Sequence, residues 1–244
     1  MYRYSLNPTE QKLLSDKISM CRRLYVPALE LDGTINGVGF ADLSCDQTED
    51  ARQELIDAGV VVILAALNCP TNDDAAVRKW FHNAHFLGVE NVLMPAPLKN
   101  ETMQDYVTRL EKPCAYAENY GMGSLLTHTK EGLLSTEAAL TEAVKTLGNV
   151  RTIVDPKLQA AMGNSAYMHC FYASRLKNSI YLVRVNDGMK DGTEKLPGQG
   201  VSQLRELVSL MLARRFDGYF SVEPYSGYTM EEILTAFRKE LKNM

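Results

Sequence analysis

Eight short runs, rich in β-forming residues and mostly apolar, recur about every thirty residues along this chain, each followed by a longer stretch with helical periodicity. They span residues 2–5, 26–31, 60–66, 91–94, 124–129, 151–155, 180–186 and 218–223. Strands that alternate with helices pair in parallel, because joining parallel neighbours requires a crossover and the usual crossover is a helix. The run VVVILAAL, residues 60–67, has almost no polar interruption. A strand with one wet face alternates polar and apolar residues, so this run belongs at the centre of a barrel, buried on both faces.

The helical stretches carry one apolar stripe each. Leu204, Leu207, Val208, Met211 and Leu212 repeat at helical spacing, as do Leu14, Ile18 and Cys21 near the start and Ile233, Leu234, Phe237 and Leu241 near the end. Thr229 and Glu232 have the spacing of a capping box ahead of that last helix. Eight βα units in 244 residues match a (β/α)8 TIM barrel, and no linker, charge block or longer repeat divides the chain, so residues 1–244 read as a single domain. An open doubly wound sheet shares the alternation but usually brings a glycine-rich phosphate loop after its first strand, which is absent here. The stretch TINGVGF, residues 34–40, reads as a loop.

A formal net charge of −4 with no Lys/Arg run gives no surface for neutralising a phosphate backbone, so no nucleic-acid partner is expected. Residues 1–6 lack the apolar core of a secretory signal, and no run approaches the roughly 20 apolar residues of a membrane helix. The expected setting is cytoplasmic, with no membrane partner. Cys21, Cys45, Cys69, Cys114 and Cys170 are odd in number and form no CxxC pair, which suggests reduced packing residues rather than a disulfide framework or zinc ribbon.

The segment PGQGVSQLRELVSLMLARRFDGYFSVEP, residues 197–224, resembles the closing βα units of the xylose-isomerase-like sugar-phosphate isomerases and epimerases. The matching features are the Gly-x-Gly loop Gly198 to Gly200, the pair Asp217 and Gly218 opening a strand, and Glu223 ending it. IYLVRVND (180–187), NVRTIVD (149–155) and SLLTHTKEGLLST (124–136) resemble the three preceding strands, whereas the N-terminal half matches only in rhythm, including Glu30 in its second strand. The resemblance implies a divalent metal held by Glu, Asp, His and Glu from the last four barrel strands. Asp155 and Glu223 stand at two of those positions; Thr127 takes the place of the first Glu and Arg184 that of the His, and Leu158 stands where a further histidine is expected.

Barrel active sites lie at the carboxyl ends of strands, which here offer Asn68, Thr127, Thr129, Asp155, Arg184, Asn186 and Glu223. For isomerisation or epimerisation of a hydroxy-carbonyl compound a base removes a proton beside the carbonyl and the enediolate is stabilised electrostatically. Glu223 is the candidate base and His128 the candidate second proton carrier, although strict alternation turns His128 away from the interior. Thr127, Asp155, Arg184 and Asn186 are candidate substrate contacts; Asp155 reads equally as a ligand, a partner of Arg184, or the start of the loop at Pro156. His82, His85 and His169 read as packing or surface residues on helices.

A guanidinium stays protonated and has no lone pair for a metal, so Arg184 argues against the usual cation, leaving Asp155 and Glu223 as a partial metal site with no cofactor expected. Two readings of Arg184 stay open. It replaces the metal's positive charge toward an enediolate, carboxylate or phosphate, with exposed-loop candidates Lys130 and Lys190 adding potential, or it only neutralises Asp155 and Glu223 in a barrel that has lost catalysis. The implied function is a sugar or sugar-phosphate isomerase or epimerase acting by proton transfer on a small carbohydrate-like substrate. The alternative is an inactive TIM barrel that binds a sugar-like or anionic ligand. DNA-repair endonucleases share the barrel but use a histidine-rich zinc cluster that is missing from this sequence.

Overall fold

The computed structural model describes residues 2–172, 174–225 and 227–242. In chain order the first half contains β1 (Tyr4–Leu6), α1 (Leu14–Leu24), β2 (Ala28–Leu31), β3 (Thr34–Ile35), β4 (Val38–Gly39), α2 (Cys45–Ala58), β5 (Val61–Ala66), α3 (Asp74–Phe86), β6 (Asn91–Leu93) and α4 (Met103–Asn119). The second contains β7 (Gly123–Thr127), α5 (Glu137–Leu147), β8 (Val150–Val154), α6 (Pro156–Ala161), a π-helical segment (Ala166–Tyr172), β9 (Ile180–Arg184), β10 (Asp187–Gly188), β11 (Glu194–Lys195), α7 (Leu204–Ala213), β12 (Tyr219–Val222) and α8 (Met230–Lys242). Eight strands close into a parallel barrel in the order β1-β12-β9-β8-β7-β6-β5-β2, so the fold is a (β/α)8 TIM barrel. All eight lie within two residues of the apolar runs that announce them.

Two hairpins stand outside the barrel sheet. The first, β3–β4, corrects the reading of residues 34–40 as a loop. Asn36 and Gly37 both have positive φ, 52° and 82°, the geometry of a type I′ turn that an Asn-Gly pair favours. The second, β10–β11, pairs Asp187 with Lys195 and Gly188 with Glu194 directly after β9.

Contact density divides the chain into two compact units. One, Ser5–Leu126 with Ala143–Arg151, is regular: Trp80 and Phe81 are fully buried, Phe40 stacks on Trp80 at 5.3 Å between centroids, and Trp80 meets Phe81 edge-on at 5.0 Å. Its helices α2, α3 and α4 start on side-chain caps, with Ser44 and Gln47 forming a capping box, Asp73 accepting from Ala76 N and Thr102 from Asp105 N.

The other unit holds residues 2–4, Thr127–Glu142 and 152–242. Within it Phe220 of β12 faces the helices, lying 5.4 Å from Phe237 of α8 and 5.4 Å from Phe216. The apolar residues expected on α7 and α8 are buried, Leu212 being half-buried, and Thr229 and Glu232 form the capping box of α8. All five cysteines are free thiols; burial pushes those of Cys21 and Cys170 up to about 12, which leaves them unreactive. Among the described residues no helix is long and apolar enough to cross a membrane.

Candidate active site at the carboxyl ends of β8, β9 and β12

Strand register brings the candidate residues to one level. Ser221 pairs with Arg184, and since Phe220 points outward to α8, alternation turns Ser221, Arg184 and Glu223 to the opposite, inner face. Between Thr152 and Ile153 the pairing of β8 with β9 slips by one residue, after which Val154 lies opposite Val183. Asp155 therefore follows at the height of Arg184.

Arg184 is buried, 8% exposed, and its charge is met on two sides. Nη1 donates to Ser221 Oγ at 2.5 Å, and Nε lies 3.6 Å from Glu223 Oε2. Asp155 Oδ1 accepts from Leu158 N at 2.9 Å and so caps α6, whose first residue is Pro156. Burial raises the pKa of Asp155, the charge of Glu223 adds to the rise, and the hydrogen bond from Leu158 with Lys157 and the Asn186 amide offsets part of it. Asn186 is fully buried: its Oδ1 accepts from Lys157 N at 3.0 Å, while its Nδ2 has no hydrogen-bond partner of normal geometry.

Of the expected site residues, Asp155, Arg184, Asn186 and Glu223 are brought together, and Thr127 ends β7 half-buried. His128 is buried at 7% exposure with Nδ1 unpartnered. Burial lowers its pKa, and the opposing charge is that of Glu137 at the start of α5. Glu137 is itself held by Ser174 Oγ at 3.0 Å, Arg175 N at 3.0 Å and Thr141 Oγ1 at 3.1 Å. His82, His85 and His169 are exposed on their helices, and Lys130 and Lys190 are exposed in the loops that follow β7 and β10.

Three residues of this unit went unread in the sequence. Ser221 sits under the guanidinium, where only the register reveals it. Lys157 ties the β10–β11 hairpin down through Glu194 at 2.5 Å and lies 4.8 Å over the Tyr225 ring, whose hydroxyl donates to Lys195 O. Asp187, 2% exposed, accepts hydrogen bonds from the Gly-x-Gly loop. The local pattern Asp-Gly after a buried strand was the available signal for the last of these.

The donor set does not fit the metal that the family resemblance implies. Thr127 offers a hydroxyl, and Arg184 repels a cation and pairs with Glu223, one of the two remaining carboxylates. Among the described residues no three His, Cys, Asp or Glu side chains group closely enough to hold an ion. A cavity of about 280 Å³ lined by Cys114, Met122, Ser124 and Asn149 opens at the amino ends of β7 and β8, the end of a barrel that serves stability rather than chemistry.

No family model matches the chain, and no curated protein matches it either. Solved structures do match over almost the whole length. A D-tagatose 3-epimerase-like protein superposes with a TM-score of 0.79 at 15% identity, covering 99% of this chain and 97% of that one. The probable 3-DHS dehydratase AsbF of Bacillus anthracis gives 0.75 at 16% identity, covering 99% of each chain. The IOLI protein, described with a binding zinc atom, gives 0.74 at 18% identity, covering 99% and 97%. The chain therefore has the fold of the xylose-isomerase-like and sugar-epimerase barrels.

Proposed function

We propose that the carboxyl ends of β8, β9 and β12 bind a small carbohydrate-like anion and that the chain acts on it by proton transfer, as an isomerase or epimerase. The observation that carries this reading is the buried guanidinium of Arg184, at the level of Asp155 and in an ion pair with Glu223. The structural neighbours named for epimerases of neutral sugars support the carbohydrate part of this reading, and the anionic group rests on Arg184 alone.

In this reading Arg184 holds the anionic group of the substrate where a metal would otherwise stand, and Glu223 removes the proton beside the substrate carbonyl. Asp155 is better suited than His128 to return the proton, because burial and the neighbouring Glu223 raise its proton affinity toward the working range of an acid catalyst. Asn186 Nδ2 and Thr127 Oγ1 orient substrate oxygens. A second reading, a noncatalytic barrel that holds the same ligand, is favoured by the pairing of Arg184 with Glu223.

Exchange of a substrate carbon-bound proton with deuterated solvent separates the two, measured by NMR over a series of aldoses, ketoses and their acids. The catalytic reading expects exchange in the wild type and a loss of about 100-fold in Glu223→Gln, which keeps shape and removes basicity. Binding without exchange selects the noncatalytic barrel.

A further inference from the structure

The loop between β11 and α7 has the glycine content and position of a phosphate cradle, since barrels commonly bind phosphate at the loops after their last two strands. In this chain the cradle is filled by a side chain of the protein. Asp187 Oδ1 accepts from Gly188 N at 2.8 Å, Ser202 N at 3.2 Å and Ser202 Oγ at 2.5 Å, and its Oδ2 accepts from Gly198 N at 3.0 Å and Gly200 N at 2.9 Å. The two amides in between are also used, Gln199 N by Leu196 O and Val201 N by Gly188 O, both at 2.9 Å. Every backbone N–H from 198 to 202 is thus committed. A Cβ on Gly200 would stand 2.2 Å from Asp187 Oδ1, so the loop closes on the carboxylate with no room for a further group. The first turn of α7 adds Glu206, which disfavours a second anion at that helix start.

At the site proposed above the anion contact is Arg184, and its surroundings limit the charge it accepts. Glu223 lies 3.6 Å from its Nε, and Asp155 stands at the same strand level. A phosphate monoester brings a charge of about −1.5 to −2 at pH 7 and draws on several donors. A carboxylate brings one charge and a planar pair of oxygens that match one guanidinium.

We infer that the ligand of this site is a carboxylate of the sugar-acid class and not a phosphate ester, an inference that rests on the reading of Arg184 as the anion contact. Calorimetry on the wild-type protein tests it with glycolate, D-glycerate and D-gluconate against inorganic phosphate and glycerol 3-phosphate. The carboxylates should include a ligand at least tenfold tighter than either phosphate. Phosphates that bind as tightly as the best carboxylate would overturn the inference and leave the anion reading of Arg184 standing. If no member of either class binds, that anion reading fails and takes the inference with it. Asp187→Ala adds a second arm: once shown folded by circular dichroism, it should bind inorganic phosphate at least tenfold more tightly than the wild type. A folded variant with no such gain would contradict the claim that Asp187 occupies the cradle. If the variant does not fold, the wild-type series decides alone.

Discussion

The two compact units differ in how completely their buried polar groups are satisfied. In the unit formed by Ser5–Leu126 and Ala143–Arg151, Asn83 and Asn91 are buried and donate to Phe40 O at 2.7 Å and Ile63 O at 2.9 Å, and the indole N–H of Trp80 in the aromatic centre donates to Asn68 Oδ1 at 3.1 Å. The unit that carries the candidate site has, among the described residues, all of the buried side-chain atoms without a partner, including His128 Nδ1, Thr129 Oγ1, Thr152 Oγ1, Gln159 Nε2 and Asn186 Nδ2. It also has the π-helical segment and the hairpin tied over β9. Native chains pair nearly all buried polar atoms, and exceptions gather where a ligand or a water completes the set. One unit is built for stability, and the other retains donors and charges that stability alone does not require.

That contrast can be broken by mutation. The largest expected effect is Trp80→Ala, which empties the aromatic centre and should cost about 3–5 kcal/mol in urea unfolding. A cost near 1 kcal/mol would mean that this unit is not the tightly packed one. Asp155→Asn should act in the opposite direction. Because Asp155 holds its proton more tightly folded than unfolded, its contribution to stability is present at low pH and lost as pH rises through its folded pKa. Asparagine stays neutral and still caps α6, so the variant should exceed the wild type in stability at pH 7, with the gap closing as pH falls toward about 4. A constant gap, or a loss at pH 7, would remove Asp155 from the strained groups. The smallest effect belongs to Thr152→Val: an unpartnered hydroxyl is exchanged for a methyl, and unfolding free energy should change by no more than about 0.5 kcal/mol or should rise.

The barrel itself was legible because each strand is an apolar run and each helix an amphipathic stripe, two patterns read over short windows. The helices that match best, α7 and α8, have single faces that pack on the sheet. What escaped reading depends on geometry across distant segments. Arg184 and Glu223 could be named from strand ends, whereas Ser221 beneath the guanidinium depends on pairing between strands 37 positions apart. The one-residue slip between Thr152 and Ile153 leaves no local signal, yet it sets the height of Asp155. Asn36-Gly37 did carry a local signal, the I′ turn pair, which the search for a phosphate loop passed over. His128 lies buried just past the end of β7 with the charge of Glu137 acting on it, and its candidate role as a proton carrier rested on sequence position alone.

The account turns on Arg184 as an anion contact rather than as a mere counter-charge for Glu223. The most direct measurement is calorimetry on matched sugar acids and their alditols, comparing the wild type with Arg184→Met at low and moderate salt. The account predicts that the wild type prefers the acid at least tenfold, that moderate salt weakens this preference only slightly because the guanidinium is buried, and that Arg184→Met abolishes it. Equal binding of acid and alditol by the wild type, or an acid preference that survives in Arg184→Met, would contradict it.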